Sequence, residues 1–352
     1  MSEREPLLEI DNLTKYFAQN SGFIDNLLGR EPELVQAVDG ISLTLSSDES
    51  QGVIGESGCG KTTLLQTLMG LHEPTSGEIR FRGRDVSEFD KTDWKEFRKN
   101  VQIIFQDPFN SLDPKLTIRE WLYEPLKIHD IEEMEERVID TLNRVELQPP
   151  EQYLDRFPRQ LSGGELQRVS IARALILDPK IILADEPVSM LDVSTQAAIL
   201  NLLADLIENL GVSIIYISHD LSTVAYVCDR INVMYMGRIV ESAPTEPLLR
   251  DPKHPYSQAL TNAVPTPDPN YHRERTQLEG AVQNPVNIGK GCRFRDRCPE
   301  RMDVCESTPA FLEDEEDWSV ACHLYYDHDE YRSELGGDDA EQLKTETTGV
   351  SE

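Results

Sequence analysis

Gly52-Val53-Ile54-Gly55-Glu56-Ser57-Gly58-Cys59-Gly60-Lys61-Thr62-Thr63 is the stretch whose reading decides the fold. An apolar strand runs through a Gly-rich turn of the form G-x-x-x-x-G-K-[ST] into an apparent helix from Lys61 to Gly70. Glycines let the backbone wrap until successive N–H groups point at a phosphate, and the helix that follows adds its positive N-terminus. On this reading Ser57, Gly58, Cys59, Gly60, Lys61, Thr62 and Thr63 bind a nucleotide. Lys61 reaches the β/γ oxygens and the Thr62 hydroxyl holds Mg²⁺. The pattern predicts the opening of an α/β domain.

Working outward, the apolar run Ile181-Ile182-Leu183-Ala184 ends in Asp185-Glu186-Pro187, and Ser213–Ser218 (SIIYIS) is a second such run. Runs of this kind are buried on both faces in parallel sheets. Two carboxylates at a strand end divide the work: Asp185 completes the Mg²⁺ shell through water, and Glu186 polarises or deprotonates an attacking water. Helices are expected from Thr195 to Asn209 and from Leu221 to Val227. Leu161-Ser162-Gly163-Gly164-Glu165 precedes a further helix and forms a second anion-binding start; Ser162 as a plain N-cap explains the Ser but not the Gly pair. Amphipathic helix dominates from Thr117 to Phe157, a subdomain inserted in the core. A polar segment from Phe17 to Glu33 reads as an inserted loop.

Composition narrows the classes. The chain has 352 residues, and 64 acidic against 34 basic residues give a net charge of −30. Such a balance repels polyphosphate backbones, so nucleic-acid wrapping is disfavoured. No apolar run approaches the ~18 to 20 residues that cross a bilayer, and MSEREPLLEI lacks the regions of a secretory signal. The chain is expected inside the cell, with any membrane spanning left to other chains. Acid spread along the whole length with few Lys suits molar salt, where the Debye length is ~3 Å; an extreme halophile is the expectation, an acidic mesophilic protein the alternative.

The three motifs, in this order, resemble the nucleotide-binding subunit of an ATP-binding cassette (ABC) transporter over roughly Leu7 to Val240. The resemblance implies a P-loop NTPase cassette, a RecA-like core with an antiparallel β subdomain and a helical subdomain at about 107–177. The cassette then occupies residues 1–242, with the loop insertion at about 17–33. Further roles follow from the resemblance: Tyr16 stacks on adenine, Gln106 touches Mg²⁺ and the attacking water, and His219 contacts the γ-phosphate. Ser162, Gly163 and Gly164, with Asp192 of the D-loop, face the nucleotide of a second cassette, so one chain cannot complete a site. Glu165 replaces the Gln often found in the signature loop, and Met190 the small residue usual in the D-loop.

After Val240 the chain turns Pro-rich, and a small module is expected at 243–328, followed by a disordered acidic tail at 329–352. His254-Pro255-Tyr256 and the Cys-containing segment resemble the dipeptide and oligopeptide import ATPases, of F-type rather than D-type. That family implies a D-type cassette as heterodimer partner, two transmembrane permeases, an extracytoplasmic binding protein and a place on the cytoplasmic face of the membrane. Nickel or sugar import by the same motor is the alternative; a non-transport ABC ATPase and a redox or metal sensor are the other classes. Cys292, Cys298, Cys305 and Cys322 have five, six and sixteen residues between them, a set that could enclose zinc or a [4Fe–4S] cluster. Spacing leaves the two open; the resemblance implies the [4Fe–4S] cluster.

Overall fold

The computed structural model describes residues 5–19, 33–263, 285–313 and 317–325. Strands β1 (Pro6–Ala18), β2 (Leu34–Ser46), β4 (Ser76–Phe81) and β5 (Arg84–Asp85) form an antiparallel sheet in the order β2-β1-β4-β5. The second sheet has the order β11-β12-β10-β9-β3-β8-β7-β6. Its members are β3 (Ser50–Ile54), β6 (Val101–Ile104), β7 (Ile181–Asp185), β8 (Ser213–Ser218), β9 (Arg230–Tyr235), β10 (Arg238–Pro244), β11 (Leu312–Glu313) and β12 (Ser319–Val320). β9, β3, β8, β7 and β6 run parallel, and every residue of β3, β7 and β8 is buried. Burial on both faces is what selects near-continuous apolar strands.

The parallel order places the C-terminal ends of β3, β7 and β8 side by side, and with them the phosphate loop, the Asp185-Glu186 pair and His219. This is the carboxyl edge where open α/β sheets bind ligands. Helices at Ile118–Ile128, Met134–Arg144 and Gly163–Leu175 form the expected helical subdomain between β6 and β7. Its first helix starts at a capping box in which the Thr117 side chain accepts from Glu120 N–H and Glu120 answers to Thr117 N–H.

Three expectations are corrected. Phe17 and Ala18 belong to β1, paired with Val35 and Leu34, so the insertion starts later; 20–32 lie outside the described residues. The helix after Asp192 runs Val193–Leu210 because Asp192 caps it, accepting from Ser194 and Thr195 N–H. The C-terminal residues join the cassette sheet: Val320 and Ser319 of β12 pair with Glu241 and Ser242 of β10. The expected acidic tail at 329–352 lies outside the described residues.

Candidate active site and the cysteine module

The turn Gly55–Gly60 closes as expected for a phosphate loop. Gly60 has φ 109°, and a Cβ there would lie 1.9 Å from Ala37 O, so backbone conformation and contact with β2 both demand glycine. Lys61 is buried, and its Nζ donates to Gly55 O at 2.7 Å and Glu56 O at 3.1 Å. Thr62 Oγ1 donates to Asp185 Oδ1 at 3.4 Å. Burial pushes the Asp185 carboxyl up, against the Thr62 hydrogen bond. A buried carboxylate beside a hydroxyl is the oxygen donor set that suits a hard divalent cation, so Thr62 and Asp185 fit Mg²⁺.

Glu186 follows with φ 45°, an uncommon backbone state for a residue with a side chain. Its N–H is held by Ile217 O at 2.9 Å, which aims the side chain out of the sheet. Gln106 Nε2 donates to Glu186 Oε2 at 2.9 Å, and His219 Nδ1 lies 3.1 Å from Glu186 Oε1. A cavity of about 710 Å³ joins these groups; Ser57, Gly58, Gly60, Lys61, Thr62, Thr63, Gln106, Glu186 and His219 all line it. Cys59 does not; it is buried, with Lys61 Nζ 3.9 Å from its Sγ.

Tyr16 is corrected. Its hydroxyl donates to Asp39 Oδ1, and Arg238 and Arg293 hold Oδ2 of the same carboxylate. Phe17 lines the cavity instead, edge-on to His72 at 5.2 Å between centroids. Neighbouring strand residues point to opposite faces, so only one of the two aromatics faces the cavity. Counting along β1 could not choose, because its register shifts between Leu13 and Lys15 and again between Lys15 and Tyr16.

Ser162, Gly163, Gly164 and Asp192 do not line this cavity. Ser162 caps the helix Gly163–Leu175 in a capping box with Glu165, whose carboxylate accepts from Ser162 N–H and Oγ at 2.8 Å each. These bonds hold the Glu165 carboxyl below its ordinary value. The acid at this position is therefore at home in the cap. Gly164 packs on the D-loop helix, where a Cβ would meet Thr195 Cγ2 at 2.5 Å.

In the C-terminal region Cys292, Cys305 and Cys322 are buried and Cys298 is half-buried, all with free thiols. Burial pushes the Cys292 thiol up to about 11 and the Cys322 thiol up to about 12, and the fields of Cys298 and Cys305 add to both shifts. Among the described residues, however, no group of three or more His, Cys, Asp or Glu is arranged to hold a metal ion. The donor chemistry fits a four-thiolate centre, and the arrangement of the side chains is not that of a formed one.

The same region also reaches the cavity, which composition did not reveal. Pro285 and Val286 line it; Gln36 N–H donates to Pro285 O at 2.8 Å, and Val35 bridges Val286. No helix among the described residues is long and apolar enough to cross a membrane.

Comparison with known proteins agrees with this geometry. Residues 38–189 match the family model for ABC transporters, and residues 240–305 match the C-terminal region of oligopeptide/dipeptide transporters. Among solved structures, a dimer of the ATP-binding cassette MJ0796 in a post-hydrolysis state with ADP and Pi superposes with a TM-score of 0.59 at 29% identity, covering 68% of this chain and 99% of that one. The fold and the phosphate-loop site define an ATP-binding cassette of the ABC ATPases. The oligopeptide transport ATP-binding protein AppF of Bacillus subtilis is 43% identical over 331 residues, covering 92% of this chain and 99% of its own length. The dipeptide transport ATP-binding protein DppF of Haemophilus influenzae is 41% identical over 326 residues, covering 92% and 98%. The chain belongs to the ATP-binding proteins of the oligopeptide/dipeptide ABC import family.

Proposed function

We propose that this chain hydrolyses ATP to drive import of dipeptides or oligopeptides, and that Glu186 is the residue that activates water. The observation that carries it is the Glu186 carboxylate, one oxygen held by Gln106 and the other beside His219, at the cavity that Lys61 and Thr62 line. Thr62, Asp185 and Gln106 would hold Mg²⁺, which would supply charge neutralisation at the phosphates. Lys61 neutralises the same oxygens, Phe17 packs on the base, and His219 donates to the γ-phosphate.

Ser162–Gly164 and Asp192 serve the nucleotide of a second, D-type cassette, and the pair works beneath two permeases fed by an extracytoplasmic binding protein. The place of action is the cytoplasmic face of the membrane. What supports this is the family membership and the position of the signature helix away from the chain's own cavity.

The test is Glu186→Gln in the assembled transporter. ATP binding is retained and hydrolysis falls about 10²-fold or more, with peptide uptake lost. Undiminished hydrolysis overturns the assignment.

Two finer readings stand beside this. Cys292, Cys298, Cys305 and Cys322 hold a [4Fe–4S] cluster, with zinc the alternative; iron, sulfide and zinc analysis of protein purified without oxygen separates them. The net charge of −30 suits a cytoplasm of molar salt, that of an extreme halophile.

A further inference from the structure

The first turn of the phosphate loop is gripped from outside the cassette motifs. Glu56, between Gly55 and Ser57, makes three kinds of contact. Its carbonyl accepts from Lys61 Nζ at 3.1 Å. Its N–H donates to the hydroxyl of Tyr256 at 2.9 Å. Its carboxylate takes both terminal nitrogens of Arg297, at 2.7 and 3.0 Å.

Tyr256 belongs to His254-Pro255-Tyr256 and Arg297 stands directly before Cys298, so both come from the C-terminal region. Neither is held by chance. Tyr256 is fully buried, its ring 4.6 Å from that of Tyr235 and 5.5 Å from that of Phe294. Its N–H donates to Nδ1 of buried His254 at 3.0 Å, which fixes how the tyrosine leaves the turn. The Arg297 side chain is 7% exposed against 23% for Glu56, and its guanidinium lies 5.9 Å from the Tyr235 centroid. A bidentate, largely dry ion pair resists rotation far better than a surface pair.

We propose that Arg297 and Tyr256 are positioning residues for the ATP site, clamping the phosphate loop at Glu56 so that the cysteine module sets how well the loop grips the β- and γ-phosphates. Phosphate binding needs the loop's N–H groups to converge, and Glu56 N–H is pinned away from that set by Tyr256. The same peptide carries the carbonyl that positions Lys61, so releasing Glu56 frees both loop and lysine. Cys298 follows Arg297 in the chain, which ties the clamp covalently to the cysteine module. The proposal rests on the phosphate loop being the ATP site.

The test uses the full-length chain with Mg²⁺ and measures competition of ATP and of AMP against a fluorescent ATP analogue. Arg297→Gln is expected to weaken ATP binding about tenfold, with Arg297→Lys restoring part of it. Tyr256→Phe, which keeps the buried ring, is expected to weaken it about threefold to tenfold. AMP, which places no β- or γ-phosphate in the loop, is expected to bind within twofold of parent in all three. Lys61→Ala marks the site and loses ATP. If Arg297→Gln and Tyr256→Phe both bind ATP within twofold of parent while Lys61→Ala does not, the clamp is refuted and the ATP site stands. Equal losses for ATP and AMP mean general loosening and also refute it. Parental affinity in Lys61→Ala overturns the site itself, and the clamp with it.

Discussion

His219 Nδ1 sits 3.1 Å from Glu186 Oε1, across the end of two adjacent parallel strands. Gln106 occupies the other oxygen, so the carboxylate is oriented from both sides before any water reaches it.

Removing His219 leaves that carboxylate oriented from one side only. His219→Ala in the assembled transporter is expected to keep ATP affinity within a few fold and to lower the hydrolysis rate about 10²-fold. Steady-state phosphate release beside equilibrium ATP binding checks this. A parallel fall in affinity would assign His219 to ground-state binding instead.

The two aromatics at the end of β1 separate cleanly by mutation. Phe17→Ala is expected to weaken ATP binding by about 1–3 kcal/mol, the worth of one base stacked on an aromatic ring. Tyr16→Phe is expected to leave ATP affinity alone and to lower the melting temperature, since Asp39 then loses a donor. Titration of both variants with ATP, followed by a thermal melt, distinguishes the roles.

Acid should weaken the C-terminal region through His254. Burial pushes its ring down to about 3, while the unfolded chain titrates near 6.5, so between these values the unfolded state binds the extra proton. Stability from this residue is therefore full above about pH 6.5 and falls as pH drops, by at most about 1.4 kcal/mol per unit. Glu241, a buried carboxylate pushed up mainly by burial, has the opposite sign over the interval from its ordinary value up to its raised one. Comparing parent with His254→Asn, which keeps an acceptor for Tyr256 N–H, isolates the histidine. Denaturant midpoints at pH 7 and pH 5.5 should differ less in the variant.

Salt should stabilise the whole chain. With a net charge of −30, raising KCl from about 0.1 M toward 2 M shortens the Debye length from ~10 Å to below ~3 Å and should raise the melting temperature. Sucrose at matched osmolality, which screens no charge, should do less. Equal effects would remove the electrostatic explanation and the high-salt habitat with it.

Much of this was legible in the residues themselves. β7 and β8 announce their burial by apolar runs, β3 only in its second half, and the loop after β3 carries its function in glycine and lysine spacing. Local signals of this kind do not depend on the rest of the fold. The contacts that escaped are between distant parts of the chain. Nothing local in Arg297 says that its partner is Glu56, 241 residues earlier, and nothing in Pro285 says that it borders a nucleotide cavity. Likewise β12 is two residues long, too short for alternation to register, and exists as a strand because β10 and β11 pair with it on either side. Tyr16 and Phe17 failed for a different reason: the pair is chemically ambiguous, and the register shifts in β1 erase the parity that would separate them.

That two-residue strand has a consequence for handling the protein. β12 covers the outer edge of β10 at Glu241 and Ser242, and Trp318 just before it donates its indole N–H to Glu241 at 2.9 Å. A chain shortened after Ala263 keeps every ATP motif but presents that edge uncovered, with a buried carboxylate missing one of its donors. Uncovered edges recruit strands from neighbouring molecules. The shortened cassette, which also lacks Arg297, should therefore bind ATP more weakly and self-associate on concentration, so its solubility depends on a part of the chain outside the ATP motifs.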